Sequence, residues 1–399
     1  MTPTVDCPTR VARAAVFTVF GLNGFLLAMW VVHIPEITDR TGVAKSTLGM
    51  LLLLMAGAGV AGMRITGPLA DRFGSRNLVA AAATLMSLAL IGPGLATGPI
   101  TLALALACFG FGNGALDVSM NTQAVHVERA YGRPIMGAFH ALFSGGGLLG
   151  SLLGAATLRA EWDTRMTLTL AALACVALTF ALVPRLLRDT EHGAPADSAA
   201  VHHDPPASAH QHRDSAEHRR KVFALAAIAF AVLLAEGVAG DWSTLQMREH
   251  LDADEATAAL AFGAFSVTMT AGRLAADRVS GAFGRVAVVR YGTLLCAIGL
   301  TVIILSPWIP LTLIGWAMAG LGLSGTIPQI FTAAGNLGSA KAATDMSRVF
   351  SIGYLGLLAG PATIGWLTAL IPLTTALIVP LIAVLICCRY AAAVAPARA

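Results

Sequence analysis

Three polar side chains recur at helical spacing inside one apolar stretch: Asn113, Asp117 and Asn121. At about 100° per residue, positions i, i+4 and i+8 fall within an arc of roughly 80°. Gly110 lies on nearly the same face and leaves room beside it. Such a stripe must face a cavity or a neighbouring helix, because lipid offers it no partner. A carboxylate there can carry a proton, and the amides can hold hydroxyl groups. Asp117 can equally serve as a gate partner for a loop arginine. Glu236, in a second apolar run, is a second protonation site or an outer-gate residue. His140 can shuttle protons near neutral pH, or it can be a neutral ring bonded to a neighbouring helix. Asn23 and Gln329 are substrate contacts or interhelical glue. Asp241 and Trp242 fall at an outer boundary, where Trp is a substrate platform or a belt residue. His33 and Glu36 are expected in the outer mouth.

These residues need long apolar elements to hold them. Of 399 residues, 56% are apolar and only 12% are charged, against about 25% charged in soluble domains. A helical span needs roughly 20 apolar residues. Twelve candidates appear, at 14–34, 47–66, 78–97, 100–123, 136–158 and 166–184, then at 222–241, 257–276, 286–305, 310–333, 346–369 and 373–390. The expected fold is an all-α membrane protein, twelve transmembrane helices in two six-helix bundles over 14–184 and 222–390. Segments 1–13 and 391–399 are expected to be cytoplasmic tails. The start of the chain reads as such a tail and not as a cleavable signal.

With the first residue inside, 21 of the 26 Lys and Arg residues fall on the cytoplasmic side. That asymmetry follows the positive-inside rule and supports an even number of spans with both termini inside. The net charge of +4 is too small to suggest nucleic-acid binding. The six cysteines show no paired metal-ligand spacing. Segment 185–221 is the one long polar stretch and carries His192, His202, His203, His210, His212 and His218. It reads as a disordered, His-rich cytoplasmic linker, with a metal-binding tract as the alternative.

The halves repeat each other. Gly110, Gly112 and Gly114 recur as Gly320, Gly322 and Ser324, and the stretch from Phe139 to Gly147 matches that from Phe350 to Leu358. Internal repeats of this kind mark secondary transporters. Between the second and third spans stands Gly67-Pro-Leu-Ala-Asp71-Arg72-Phe-Gly74-Ser-Arg76, and after the eighth a degenerate copy, Gly272-Arg273-Leu-Ala-Ala-Asp277-Arg278. The first loop resembles the loop 2–3 signature of the major facilitator superfamily. Around Asp117, Asn121, Glu128, Arg133, His140 and Ser144 the sequence looks like the branch that holds fucose-permease-like sugar:proton symporters and uncharacterised bacterial inner-membrane relatives.

The resemblance implies the major facilitator fold and a transporter, not an enzyme, in the bacterial inner membrane. It implies alternating access of a small solute, sugar-like or another small metabolite, by proton-coupled symport. Proton-driven efflux is the alternative within the class, and a non-transporting sensor or scaffold the alternative outside it. The glycine–proline motif of drug/proton antiporters is missing from the fifth span, where Ser144 to Gly150 contains no proline. Gly67, Asp71, Arg72, Gly74, Arg76, Glu128, Arg133, Gly272, Arg273, Asp277 and Arg278 are expected to form the cytoplasmic gate. Gly67 and Gly74 would permit close approach and a tight turn, Asp71 would sit at a helix N-terminus, and Arg72 and Arg76 would pair with carboxylates such as Glu128, with plain positive-inside anchoring as the alternative. No basic residue is expected at mid-membrane, which disfavours strongly anionic solutes. No cofactor or metal is expected. The expected partners are a small-molecule substrate, a proton and the lipid bilayer, with the chain a monomer.

Overall fold

A computed structural model describes residues 6–188, 208–338 and 341–396. Helices dominate them. The first half holds α1 (Cys7–Thr41), α2 (Lys45–Phe73), α3 (Ser75–Ala89), α4 (Ile91–Leu95), α5 (Pro99–Tyr131), α6 (Met136–Arg159) and α7 (Thr164–Leu182). The second holds α8 (Ser208–Leu251), α9 (Glu255–Phe283), α10 (Arg285–Leu305), α11 (Ile309–Leu323), α12 (Thr326–Gly335), α13 (Ala342–Leu367), α14 (Leu373–Ala376) and α15 (Ile378–Tyr390). Among the described residues, twelve spans are long and apolar enough to cross a membrane, with α3–α4, α11–α12 and α14–α15 each making one interrupted span.

The interruptions have a common cause. Proline removes the bond to the carbonyl four residues earlier and crowds it. Pro93, Pro328 and Pro380 stand four residues after Ala89, Ser324 and Ala376, which lie at the three breaks. Turns between spans are set by residues that accept left-handed backbone. Gly74, at φ 85°, ends α2 and opens α3, a conformation that a side chain would strain.

Each half forms a six-helix bundle, and the packing repeats. In the first, α1 packs on α6 and α2 on α5; in the second, α8 packs on α13 and α9 on α11. Glycines allow the closest crossings. At Gly114 a Cβ would meet the backbone of Gly59 in α2. Trp30 and Trp316 are fully buried, while Leu53, Leu104, Leu148, Val267 and Phe223 are exposed on the outer surface. An apolar exterior of this kind suits acyl chains, against which a helix keeps most of its backbone groups bonded within itself. The chain is a multi-pass membrane protein with the two pseudo-symmetric bundles expected from its sequence.

Two boundaries differ from expectation. Helix α5 runs on to Tyr131, beyond the expected end at 123, so Asp117 lies near its middle. Helix α8 begins at Ser208, so the polar stretch is helical from there on. His218 belongs to this helix and bonds Asp345 at the start of α13, 2.7 Å away. His192, His202 and His203 lie outside the described residues.

Candidate functional site

An even number of spans puts both chain ends on one face, called here the terminal face. A cavity of about 480 Å³ opens between α6, α8, α9 and α13, lined in part by Ser144, Glu236, Asp241, Ser266, Thr270 and Arg273. At its centre Arg273 donates from Nη2 to Glu236 Oε1 at 3.3 Å and from Nη1 to Ser144 Oγ at 3.2 Å. One guanidinium therefore joins α6 of the first bundle to α8 and α9 of the second. Arg273, expected in the gate, thus bridges the two bundles one helical turn before Asp277, and it is a basic group inside a span. A charged group inside a span is stable only when paired or wet, and Glu236 supplies the pair.

Further polar groups stand on the first bundle. His140, one turn before Ser144 on α6, lies in the field of Arg273. Its ring is 5.4 Å from that of Phe20 and 6.0 Å from that of Phe331. His140 Nε2, Asn23 Oδ1 and Asn113 Oδ1 are buried and find no partner among the described residues. Such groups normally bind something, whether water or a ligand. Asn121 Nδ2 donates to the Asp117 carbonyl at 2.8 Å and to its carboxylate at 3.2 Å. Tyr354, on α13 of the second bundle, lies within electrostatic reach of Asp117.

The terminal face is closed by two matched contacts between the bundles. Asp277, on α9, accepts from Gly137 N and Ala138 N at 2.7 Å each, at the start of α6. Asp71, on α2, accepts from Ala343 N and Thr344 N at 2.9 Å each, at the start of α13. The two aspartates are 206 residues apart in the chain, and so are the amides they cap. Each contact puts an anion at a helix N-terminus, where free N–H groups and the helix dipole favour it. Gly67 lets α2 come this close, since a Cβ there would strike Ser347 of α13. Gly272 packs on Ser324 within the second bundle.

Glu128 does not pair with Arg72 or Arg76. Its Oε2 accepts from Ile135 N at 2.9 Å and Met136 N at 2.8 Å. The reason is local: the first four N–H groups of a helix lack intrahelical acceptors. Glu128 takes the first two of α6 and Asp277 the next two. Arg72 is exposed, its guanidinium 5.1 Å from the Phe73 ring. Arg133 lies over Tyr131 at 5.3 Å and within the field of Asp277, and Arg278 is exposed.

Several expected contacts lie elsewhere. Trp242 Nε1 donates to the Pro361 carbonyl at 3.2 Å, which ties α8 to α13. Gln329 Oε1 accepts from Ser280 Oγ at 2.8 Å, within the second bundle. Asn23 Nδ2 reaches Met120 Sδ at 3.8 Å. His33 is fully buried, with Nδ1 2.7 Å from the Met29 carbonyl, and so does not line an open mouth. Glu36 is exposed. Three contributors were not anticipated. Arg129 joins α5 to α12 through Asn336 Oδ1 at 2.6 Å and the Gly335 carbonyl. Tyr354 and Asn336 carried no sequence signal, whereas Arg273 did, since it stands inside the expected span 257–276.

Twelve spans in two repeated bundles around a polar cleft define a secondary-transporter fold. The Major Facilitator Superfamily profile matches residues 15–240 and 225–398, and the chain belongs to that superfamily. It is 33% identical over 357 residues to an uncharacterised MFS-type transporter of Yersinia pestis, covering 90% of this chain and 89% of the relative. Its fold is similar to that of the MFS transporter FucP in the outward conformation, with TM-score 0.76 and 14% identity over 96% of this chain and 98% of the other. A second structure, of the E. coli fucose:proton symporter FucP, gives TM-score 0.73 and 11% identity over 96% and 98%. The chain is thus a membrane transporter of a small solute.

Proposed function

We propose that this transporter moves its solute by alternating access in symport with a proton. The observation that carries the reading is the cleft itself. Glu236 and Arg273 line it, His140 lies in the field of Arg273 and Asp117 in reach of Tyr354, while Asp71 and Asp277 cap helices of the opposite bundle at the terminal face. Charged groups that far into a membrane are costly to keep, and a proton that neutralises one of them removes the obstacle to occlusion. Asp117 is the first coupling residue, because it faces both the asparagine stripe and Tyr354. Glu236 and His140 complete the set. Asn23 and Asn113 hold polar groups of the solute through their free carbonyl oxygens. The terminal face is cytoplasmic in this reading, in the bacterial inner membrane. The likeness in fold to a fucose:proton symporter supports it.

In the cycle, solute and proton enter from the open side. The bundles close over them, and the aspartate caps on α6 and α13 release. The freed amides are then hydrated on the cytoplasmic side, which keeps the exchange of partners nearly balanced. Protein reconstituted in proteoliposomes tests the reading, with solutes chosen by thermal-shift screening. An inward pH gradient should drive accumulation, and its collapse should reduce uptake to equilibration. Asp117→Asn should lose gradient-driven accumulation while retaining solute exchange. Accumulation driven by the opposite gradient would point to efflux. Unchanged accumulation in the variant would remove Asp117 from the coupling step.

A further inference from the structure

The Arg273 guanidinium is bonded through its two Nη atoms and not through Nε. Nη2 meets a single Glu236 oxygen at 3.3 Å and Nη1 meets a hydroxyl, while Nε is buried and finds no acceptor among the described residues. The Nε–Nη2 edge is the one a carboxylate grips with both oxygens, and here it is half used. The edge lies at a cavity of about 480 Å³ that also presents Ser144, Ser266 and Thr270, a size that suits a small molecule.

Charge arithmetic then constrains what can enter. Glu236 and Arg273 cancel. A second anion brought alone to Arg273 would leave an uncompensated charge in a poorly solvated site. The same anion arriving with a proton would not. We propose that this site binds a solute bearing a carboxylate, which replaces Glu236 on Arg273 while Glu236 takes up the coupled proton. With a simple carboxylate, one anion and one proton enter together, the guanidinium keeps one anionic partner throughout, and the net charge of the site is unchanged; with an amino acid the added ammonium is balanced by Asp241. The other titratable groups around this exchange are His140 on α6, Asp241 on α8, Asp117 and Tyr354. Asp241 lines the same cavity, so a carboxylate that also carries an ammonium group has a partner for each charge.

The proposal rests on the cleft being the solute site, and its test is binding instead of transport. Full-length protein in detergent is titrated with acetate, butyrate, hexanoate, glycine and glutamine. The matching primary amides and alkylamines, and neutral polyols, serve as controls. The expected result is stabilisation by carboxylates alone, strongest for the amino acids if Asp241 takes part. Wild type should take up one proton per carboxylate bound in weakly buffered solution at neutral pH, a readout that needs no variant. E236Q should bind without proton uptake, and R273Q should weaken binding more than about tenfold while R273K recovers part of it. Stabilisation by amines or polyols but by no carboxylate would overturn the proposal. So would binding of carboxylates without proton uptake by wild type, or equal binding by R273Q. Gradient-driven uptake of a neutral polyol that R273Q leaves intact would overturn it too, with the transport reading still standing. Carboxylate binding with no transport in vesicles would leave the site and remove the transport reading.

Discussion

Asp71 and Asp277 each accept two amide hydrogens from the opposite bundle, and their charge makes these bonds stronger than neutral ones. Glu128 does the same chemistry within one bundle, and this contrast separates gating from stability. Asp277→Ala removes acceptors only from the closed terminal face, since open amides can bind water. It should shift the balance toward the open face by about 1–3 kcal/mol, or roughly 5–150-fold, seen as faster labelling by a thiol reagent of single cysteines introduced between the caps. Thermal unfolding should change little. Glu128→Ala instead leaves Ile135 and Met136 N–H groups without an acceptor in either state. It should lower stability by on the order of 2–4 kcal/mol, read as a depressed unfolding temperature in detergent. Equal effects of the two substitutions on unfolding would contradict the division.

At the scale of elements, α9 carries both ends of the device. Arg273 and Asp277 are four residues apart, so one helical turn separates the cavity contact from the terminal-face contact. A change at Glu236 is thereby placed next to the latch. The equivalent stretch of α2 carries Gly67, where α13 packs closest. Gly67→Leu should hold α2 and α13 apart and abolish transport while the protein still elutes as a folded monodisperse species. Normal transport by this variant would show that the close approach is dispensable.

Much of this arrangement was legible beforehand. Span length and hydropathy located twelve helices, because bilayer thickness sets both. The repeated Gly–Asp–Arg loops pointed to the terminal face because charge beside lipid needs a reason. Less legible was which partner each charge would take. Arg273 meets residues 37 and 129 positions away, and Glu128 chose backbone amides over arginines. Such choices depend on how helices dock, which no local pattern encodes. The three proline-determined breaks were readable in principle, since the four-residue offset is a local rule.

For the whole molecule, the bundles meet through α2–α13 and α6–α9 near the terminal face, with the cleft between them. Alternating access requires these contacts to part as a unit. The double variant Asp71→Ala, Asp277→Ala should therefore populate the open terminal face more than either single variant. The central claim is that the paired caps hold this face closed, and spin-label distances across it test that most directly. With one label on the α5–α6 connection and one on the α9–α10 connection, wild type should give a dominant short distance. The double variant should move most of the population to a longer one. An unchanged distance distribution in the double variant would contradict the account.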